Sequence, residues 1–351
     1  MAEQDSRIPL TRVGLMIQAA RTLEDGGASP ERLMRRLNMP MWHDCDPDSL
    51  FPYRDIYRFA DESCRTLGTE RFGVRVMEQH PILTMGSVGT AVAVAPNVYQ
   101  ALQAFIRSAP RYGTAKRWWL VDERHEVWFC RGGGVTFDAG EGPMIQHGLT
   151  AMVQTVRLGA GPTWRPKKVR VHAEDTLGLE NTEMFSDAHI ALDSALSAIA
   201  VPRCVLPMPI RYAGAAGRCA KQTMARDSLA DMPPADFIGS LREVVATLLQ
   251  EGDLCIERVA DVAGLSPRSL QRRLAQAGIS YKELVRRARL EIAERRLSEK
   301  DASVTEIGID LGYSDTAHFS RAFRAWTGVT PSAYRRLHGP GADGSGGVAA
   351  A

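Results

Sequence analysis

Apolar positions recur along the first two-thirds of the chain with two different periods. In VGLMIQAARTLEDGG, Val13, Met16, Ile17 and Ala20 fall on one side of a helix that stops at Gly26-Gly27. FPYRDIYRFADESCRTLG repeats the helical pattern and also ends on a glycine. A small, apolar stretch, MGSVGTAVAVAP, precedes NVYQALQAFIRSAPRYG, an amphipathic helix from about Asn97. The period then drops to two. AKRWWLVDERHEVWFCRGGGVTF predicts two strands around the polar turn VDERHE. PMIQHGLTAMVQTVRLG returns to helix, KKVRVHAE reads as a strand, and ALSAIAVPRCVL as a strand or strand edge broken by Pro202. Helices and strands in this order predict an α+β domain over residues 1–210.

The pattern fades over residues 211–237. AGAAGRCAKQTMARDSLADMPPADF is rich in small residues and holds a double proline, the composition of a linker. Helical patterning then runs to Arg336, giving an all-α domain over 238–338. GPGADGSGGVAAA predicts a disordered tail over 339–351.

The helical third contains an internal repeat. Val259, Val262 and Ala263 form an apolar stripe, and Gly264 offers the positive φ that ends a helix. Ser266 then caps a new helix with Pro267 at its first position, where a missing N–H costs nothing. Leu270 and Leu274, four apart, point inward and leave Arg268, Gln271, Arg272 and Arg273 outward. Forty-eight residues on, Ile307, Gly312 and Ser314 match Val259, Gly264 and Ser266. Phe319 and Phe323 repeat the leucine spacing after a one-residue insertion, so the second cap is Ser314 or Asp315. Outward positions here are Thr316, Ala317, Ser320, Arg321 and Arg324, with His318 at the edge. Each unit reads as helix, glycine turn, capped helix: two helix-turn-helix units.

Between them, YKELVRRARLEIAERRLS carries Leu284, Ala288, Ile292 and Leu297 on one side. As a helix it spans roughly 25 Å. Successive grooves on one face of B-DNA lie about 34 Å apart, so a spacer of this size suits two reading helices. Arg and Gln are the side chains that form paired hydrogen bonds to guanine and adenine edges. Arg286, Arg287, Arg289, Arg295 and Arg296 suit phosphates, which position a protein without specifying sequence.

Composition changes this picture little. The 351 residues exceed what one core usually serves, and 44% hydrophobic with 24% charged is an ordinary globular balance. Net charge is +2, but Ser240 to His338 holds 16 Lys and Arg against 13 Asp and Glu, leaving 27 against 28 elsewhere. That asymmetry is mild. The six cysteines (Cys45, Cys64, Cys130, Cys204, Cys219, Cys255) form no CxxC pair and have no histidine at zinc spacing. They read as buried free thiols, not as a metal site or disulfide framework. The N-terminus lacks the apolar run of a signal peptide, and no run is long enough to span a bilayer, so the expectation is a cytoplasmic protein that does not meet the membrane.

Ser240 to Arg336 resembles the DNA-binding domain of the AraC/XylS family of bacterial transcription regulators. The stretches that carry the likeness are IERVADVAGLSPRSLQRRL, RARLEIAERRL and IGIDLGYSDTAHFSRAFRAWTGVTPSAYRR. The resemblance implies Arg268, Gln271 and Arg272, with the neighbouring Arg273, as DNA contacts of the first reading helix. For the second it implies Asp315, Thr316, His318 and Arg321; Arg286, Arg287, Arg289 and Arg324 are then candidates for phosphates. Gly308 departs from the family, which usually has alanine there, at a cost of about 1 kcal/mol of helix stability. Trp326 and Tyr334 read as core.

The first 210 residues hold no GxSxG, HExxH, P-loop or GxGxxG, and RGGG at Arg131 reads as a strand-end turn. His125, His147, His172 and His189 lack ligand spacing. No catalytic role, metal or cofactor is therefore expected. The stretches MGSVGTAVAVAPNVYQALQAFIRSAPRYG and ALSAIAVPRCVLPMPI resemble the long arabinose-binding-like effector domain of family members responsive to ornithine, other small metabolites or fatty acids. That resemblance implies a small-molecule effector alongside double-stranded DNA, with a homodimer and a contact to RNA polymerase as further expectations. Trp118, Trp119 and Trp128 with Arg107, Arg111 and Arg117 are candidates to line a pocket for an anionic or apolar ligand. Trp118 and Trp119 are adjacent, so on a strand only one faces inward. Two alternatives stand beside the effector domain: chemistry in residues 1–210, or a domain that only dimerises.

Overall fold

The computed structural model describes residues 7–210, 232–251, 254–298 and 303–338. The predicted tail, and the linker expectation over residues 211–231, lie outside these. The chain separates after Pro234 into two compact units.

Unit 1 opens with β1 (Leu10–Arg12), antiparallel to β2 (Leu50–Pro52). Helices α1 (Gly14–Asp25) and α2 (Pro30–Leu37) lie between them in sequence. They are followed by α3 (Tyr53–Leu67), α4 (Phe72–Gln79), α5 (Gly86–Ala93) and α6 (Val98–Tyr112). The boundaries of α1, α3 and α6 fall where the apolar spacing put them, and the Asn97 side chain caps α6 by accepting from Gln100 N at 2.9 Å.

A five-stranded sheet carries the rest. Its strands are β3 (Arg117–Asp122), β4 (Glu126–Gly132), β5 (Lys168–Arg170), β6 (His189–Ala191) and β7 (Ser197–Pro202), in the order β3-β4-β7-β5-β6. Only β5 and β6 run parallel. ALSAIAVP is thus a central strand and not an edge. Pro202 is tolerated because it is the last residue of β7, opposite Glu126, where the ladder ends.

Helix α7 (Glu141–Ala160) packs on the sheet and on α3, α4 and α6. Being surrounded, it is buried along most of its length, from Met144 through Leu149 to Val156. Two glutamines on it secure neighbouring backbone. Gln146 accepts from Gly73 N at 3.0 Å and donates to the Glu70 and Leu177 carbonyls. Gln154 accepts from Ile82 N and donates to the Met77 carbonyl, each at 2.7 Å.

The sheet's two faces differ. Val127 and Phe129 of β4 and Ile199 and Val201 of β7 join the main core. Trp128, Cys130, Ala198 and Ala200 form a small second cluster on the opposite face, with Trp119 against it. Trp118 turns inward, its ring 4.8 Å from Phe105, so the adjacent tryptophans do face opposite ways. The cysteine expectation needs correction. Cys130 is buried, Cys45 and Cys64 are half-buried, but Cys204 and Cys255 are exposed. Cys219 lies outside the described residues.

The regular elements of unit 2 among its described residues are all helices: α8 (Phe237–Glu251), α9 (Ile256–Val262), α10 (Pro267–Gln276), α11 (Tyr281–Ser298), α12 (Val304–Asp310), α13 (Thr316–Thr327) and α14 (Pro331–His338). The long α11 packs against α8, α12 and α14. Its Leu284, Ala288, Ile292 and Leu297 are all buried, as the pattern requires.

Candidate nucleic-acid interface

Each helix-turn-helix is built from backbone rules. Gly264 and Gly312 take φ of +68° and +78° between the paired helices, a conformation that a Cβ disfavours. Ser266 caps α10, its hydroxyl accepting from Ser269 N at 3.2 Å, with Pro267 behind it. In the second unit the cap is Asp315, which accepts from His318 N at 2.6 Å. The extra residue therefore sits in the turn, and the two reading helices correspond at an offset of 49. The Asp315 carboxyl lies below its ordinary range, chiefly because of that backbone hydrogen bond.

Leu270 and Leu274 are buried beneath α10, and Phe319 and Phe323 beneath α13. What remains outward can be read directly. Arg268, Gln271 and Arg272 are exposed and, at i, i+3 and i+4, share one face. They make no ion pair or side-chain hydrogen bond among the described residues. Arg273 departs from this face: it is half-buried, with its guanidinium 5.2 Å from the Phe237 ring centroid of α8.

On α13 the exposed side chains are Ala317, His318, Arg321, Arg324 and Ala325. Arg321 and Ser320 occupy the places of Arg272 and Gln271 at the 49-residue offset. Thr316 is half-buried and donates to the Thr305 hydroxyl at 3.1 Å, which ties α13 to α12. Asp315 is committed to capping. His318 stands edge-on to Tyr313 with ring centroids 5.6 Å apart. Gly308 lets these helices close up, since a Cβ there would lie 3.1 Å from Phe319 Cβ. Tyr334 packs edge-on to Phe323 at 5.5 Å, and Trp326 lies 6.3 Å from Tyr313, so both, half-buried, border this aromatic cluster.

The spacer arginines divide. Glu283 accepts two hydrogen bonds from Arg286, each at 2.6 Å, and one from Arg287 at 2.8 Å, and these bonds pull its carboxyl down to about 2. One carboxylate facing two guanidinia leaves one positive charge, and Arg287 is the more exposed of the pair. Arg289 lies over the Tyr313 ring at 5.3 Å, half-buried under the second turn. Arg296 is bound to Asp310, while Arg295 is exposed.

In unit 1 the histidines singled out from the sequence, His125, His147, His172 and His189, form no metal-binding group. Only His147 is buried, and no group of three or more His, Cys, Asp or Glu able to hold a metal occurs among the described residues. No helix among them is long and apolar enough to cross a membrane.

Residues 27–210 match the family described as the arabinose-binding domain of AraC transcription regulators, N-terminal, and residues 259–337 match a helix-turn-helix domain. The HTH-type transcriptional regulator VirS of Mycobacterium tuberculosis is 26% identical over 323 residues, covering 89% of this chain and 92% of VirS. The ornithine utilization regulator of Pseudomonas aeruginosa is 38% identical over 80 residues, 23% of this chain and 24% of that protein. Among solved structures, the transcriptional regulator CdpR from Pseudomonas aeruginosa aligns at 20% identity with a TM-score of 0.39, over 90% of this chain and 97% of that one.

Proposed function

The chain belongs to the AraC family of transcription regulators, with a helix-turn-helix DNA-binding domain behind an arabinose-binding-type domain, and from that premise we propose how its side chains divide the work. Arg268, Gln271 and Arg272 of α10 read base edges in one major groove. Arg321, Arg324 and His318 of α13 enter the next with fewer paired donors, so the second helix contributes less discrimination. Arg287 and Arg295 contact phosphates. Arg273, Arg286, Arg289 and Thr316 hold the reading helices and spacer in place, and Asp315 anchors the start of α13.

The observation that carries this reading is the exposed Arg268, Gln271 and Arg272 face, set on a capped helix whose leucines are buried. Unit 1 supports it as an effector-sensing domain, residues 1–210, which shifts DNA affinity only by binding one conformer better than another. The matched N-terminal family favours this over chemistry in the same residues.

The test starts from a DNA site selected in vitro with the full chain. Arg272→Ala should weaken binding to that site by about 1–3 kcal/mol and relax preference at one base pair. Unchanged affinity and preference in a fluorescence-anisotropy titration would remove α10 from the groove.

A further inference from the structure

Unit 1 contains a cavity of about 30 Å³ between α5, α6, α7 and the inward face of the sheet. Phe105, Trp118, Met85, Val88 and Met144 supply its apolar wall. Its polar groups are unusual. Arg131, the third inward residue of β4 after Val127 and Phe129, is 5% exposed. Its guanidinium receives little in return: it donates to the Tyr57 hydroxyl at 3.3 Å and lies 5.8 Å from the Trp118 ring.

No carboxylate pairs with Arg131 among the described residues. The nearby Glu141 is already held by Lys116 at 3.1 Å and by Phe137 N at 3.2 Å. His147 lines the same cavity and stays neutral, its pKa pushed down to about 3 by burial and then by Arg131. The His147 Nε2 and the Tyr112 hydroxyl, both buried on this wall, lack hydrogen-bond partners among the described residues. Gly148 of α7 makes room for the arginine, since a Cβ there would lie 2.8 Å from Arg131 Cδ.

A buried charge without a counter-charge is costly, and unmatched polar groups cluster where a ligand completes them. The guanidinium fork matches a carboxylate in two parallel hydrogen bonds. We propose that this cavity binds a small monocarboxylate, its acid group on Arg131 and its apolar body against Phe105, Trp118 and the methionines. The flexible Met85 and Met144 allow the cavity to enlarge for that body. Arg107, Arg111 and Arg117, the cations expected from the sequence, are exposed and do not line it. The proposal deepens the reading of unit 1 as an effector-sensing domain and rests on it.

The experiment titrates the full chain with acetate, butyrate, hexanoate and phenylacetate, and with their primary amides, at constant ionic strength. Thermal denaturation and tryptophan fluorescence are the readouts. An acid at a hundred times its dissociation constant should raise the unfolding midpoint by about 5–10 °C, and its amide should not. The fluorescence response should vanish in Trp118→Phe. Arg131→Met should unfold at a higher temperature without ligand and lose the preference for acids, while Arg131→Lys keeps a weakened one. Equal effects of acids and amides overturn the proposal. So does acid selectivity that survives in Arg131→Met, a response to phosphate or chloride as large as to the acids, or no response to any acid. Because these readouts need no DNA, a failed cavity leaves the proposed reading helices standing, and a failed DNA assay leaves the cavity testable.

Discussion

His147 shows what burial beside a fixed cation does to one side chain. With its pKa pushed down from 6.5 to about 3, it remains neutral in the fold. The unfolded chain takes up its proton as pH falls through 6.5, so between these values the unfolded state binds more protons and stability falls as pH drops. A single such group sets a slope of about 1.4 kcal/mol per pH unit. His147→Gln should therefore lose less stability than the native chain between pH 7 and pH 5, by about 2 kcal/mol in urea unfolding. Equal losses would show that His147 is protonated in the fold. The same contrast between neighbours separates Arg272 from Arg273. They are adjacent in sequence, yet one is exposed and the other lies over Phe237 of α8. A helical wheel places Arg273 at the border of the apolar face; only the position of α8 gives it a ring to cover.

At the scale of elements, helix ends were the most legible feature. Asn97, Ser266 with Pro267, and the glycines at 264 and 312 all act where their chemistry puts them, because capping and positive φ are local requirements. The second cap was not legible, since Ser314 and Asp315 are both competent. The structure assigns the role to Asp315. Ser266→Ala should thus cost about 1 kcal/mol in chemical denaturation, whereas Ser314→Ala should stay within about 0.5 kcal/mol of the native chain. A matching loss in Ser314→Ala would contradict the cap geometry. Other elements escaped the sequence altogether. Three-residue strands such as β1, β2 and β6 are too short to show a period, and α2 and α4 are only two turns long.

Across the whole molecule, the DNA-reading parts lie within unit 2, where α11 joins the two helix-turn-helix units. Its 18 residues correspond to about 27 Å of straight helix, packed against α8, α12 and α14. On the proposed reading, both helices engage DNA together only when their target segments lie on one face, about one turn apart. Inserting five base pairs between the two segments of a selected site should reduce affinity to that of the α10 segment alone. Gel-shift titration measures this directly, and undiminished binding to the lengthened site would mean that one helix does all the reading.

The amino-acid order by itself determined the repeat, the buried leucines and phenylalanines, the capped start of the first reading helix and the exposed triad on α10. All of these follow from interactions within a few residues, where spacing on a helix dictates which side faces water. Glu283 meets Arg286 and Arg287 through spacing along one helix, but tertiary packing decided the surroundings of the other arginines. It brought Asp310 to Arg296 and Tyr313 to Arg289, and it enclosed Arg131 beside Gly148 and His147. A charge's partner and its exposure depend on what the rest of the chain folds against it, and local spacing carries no record of that.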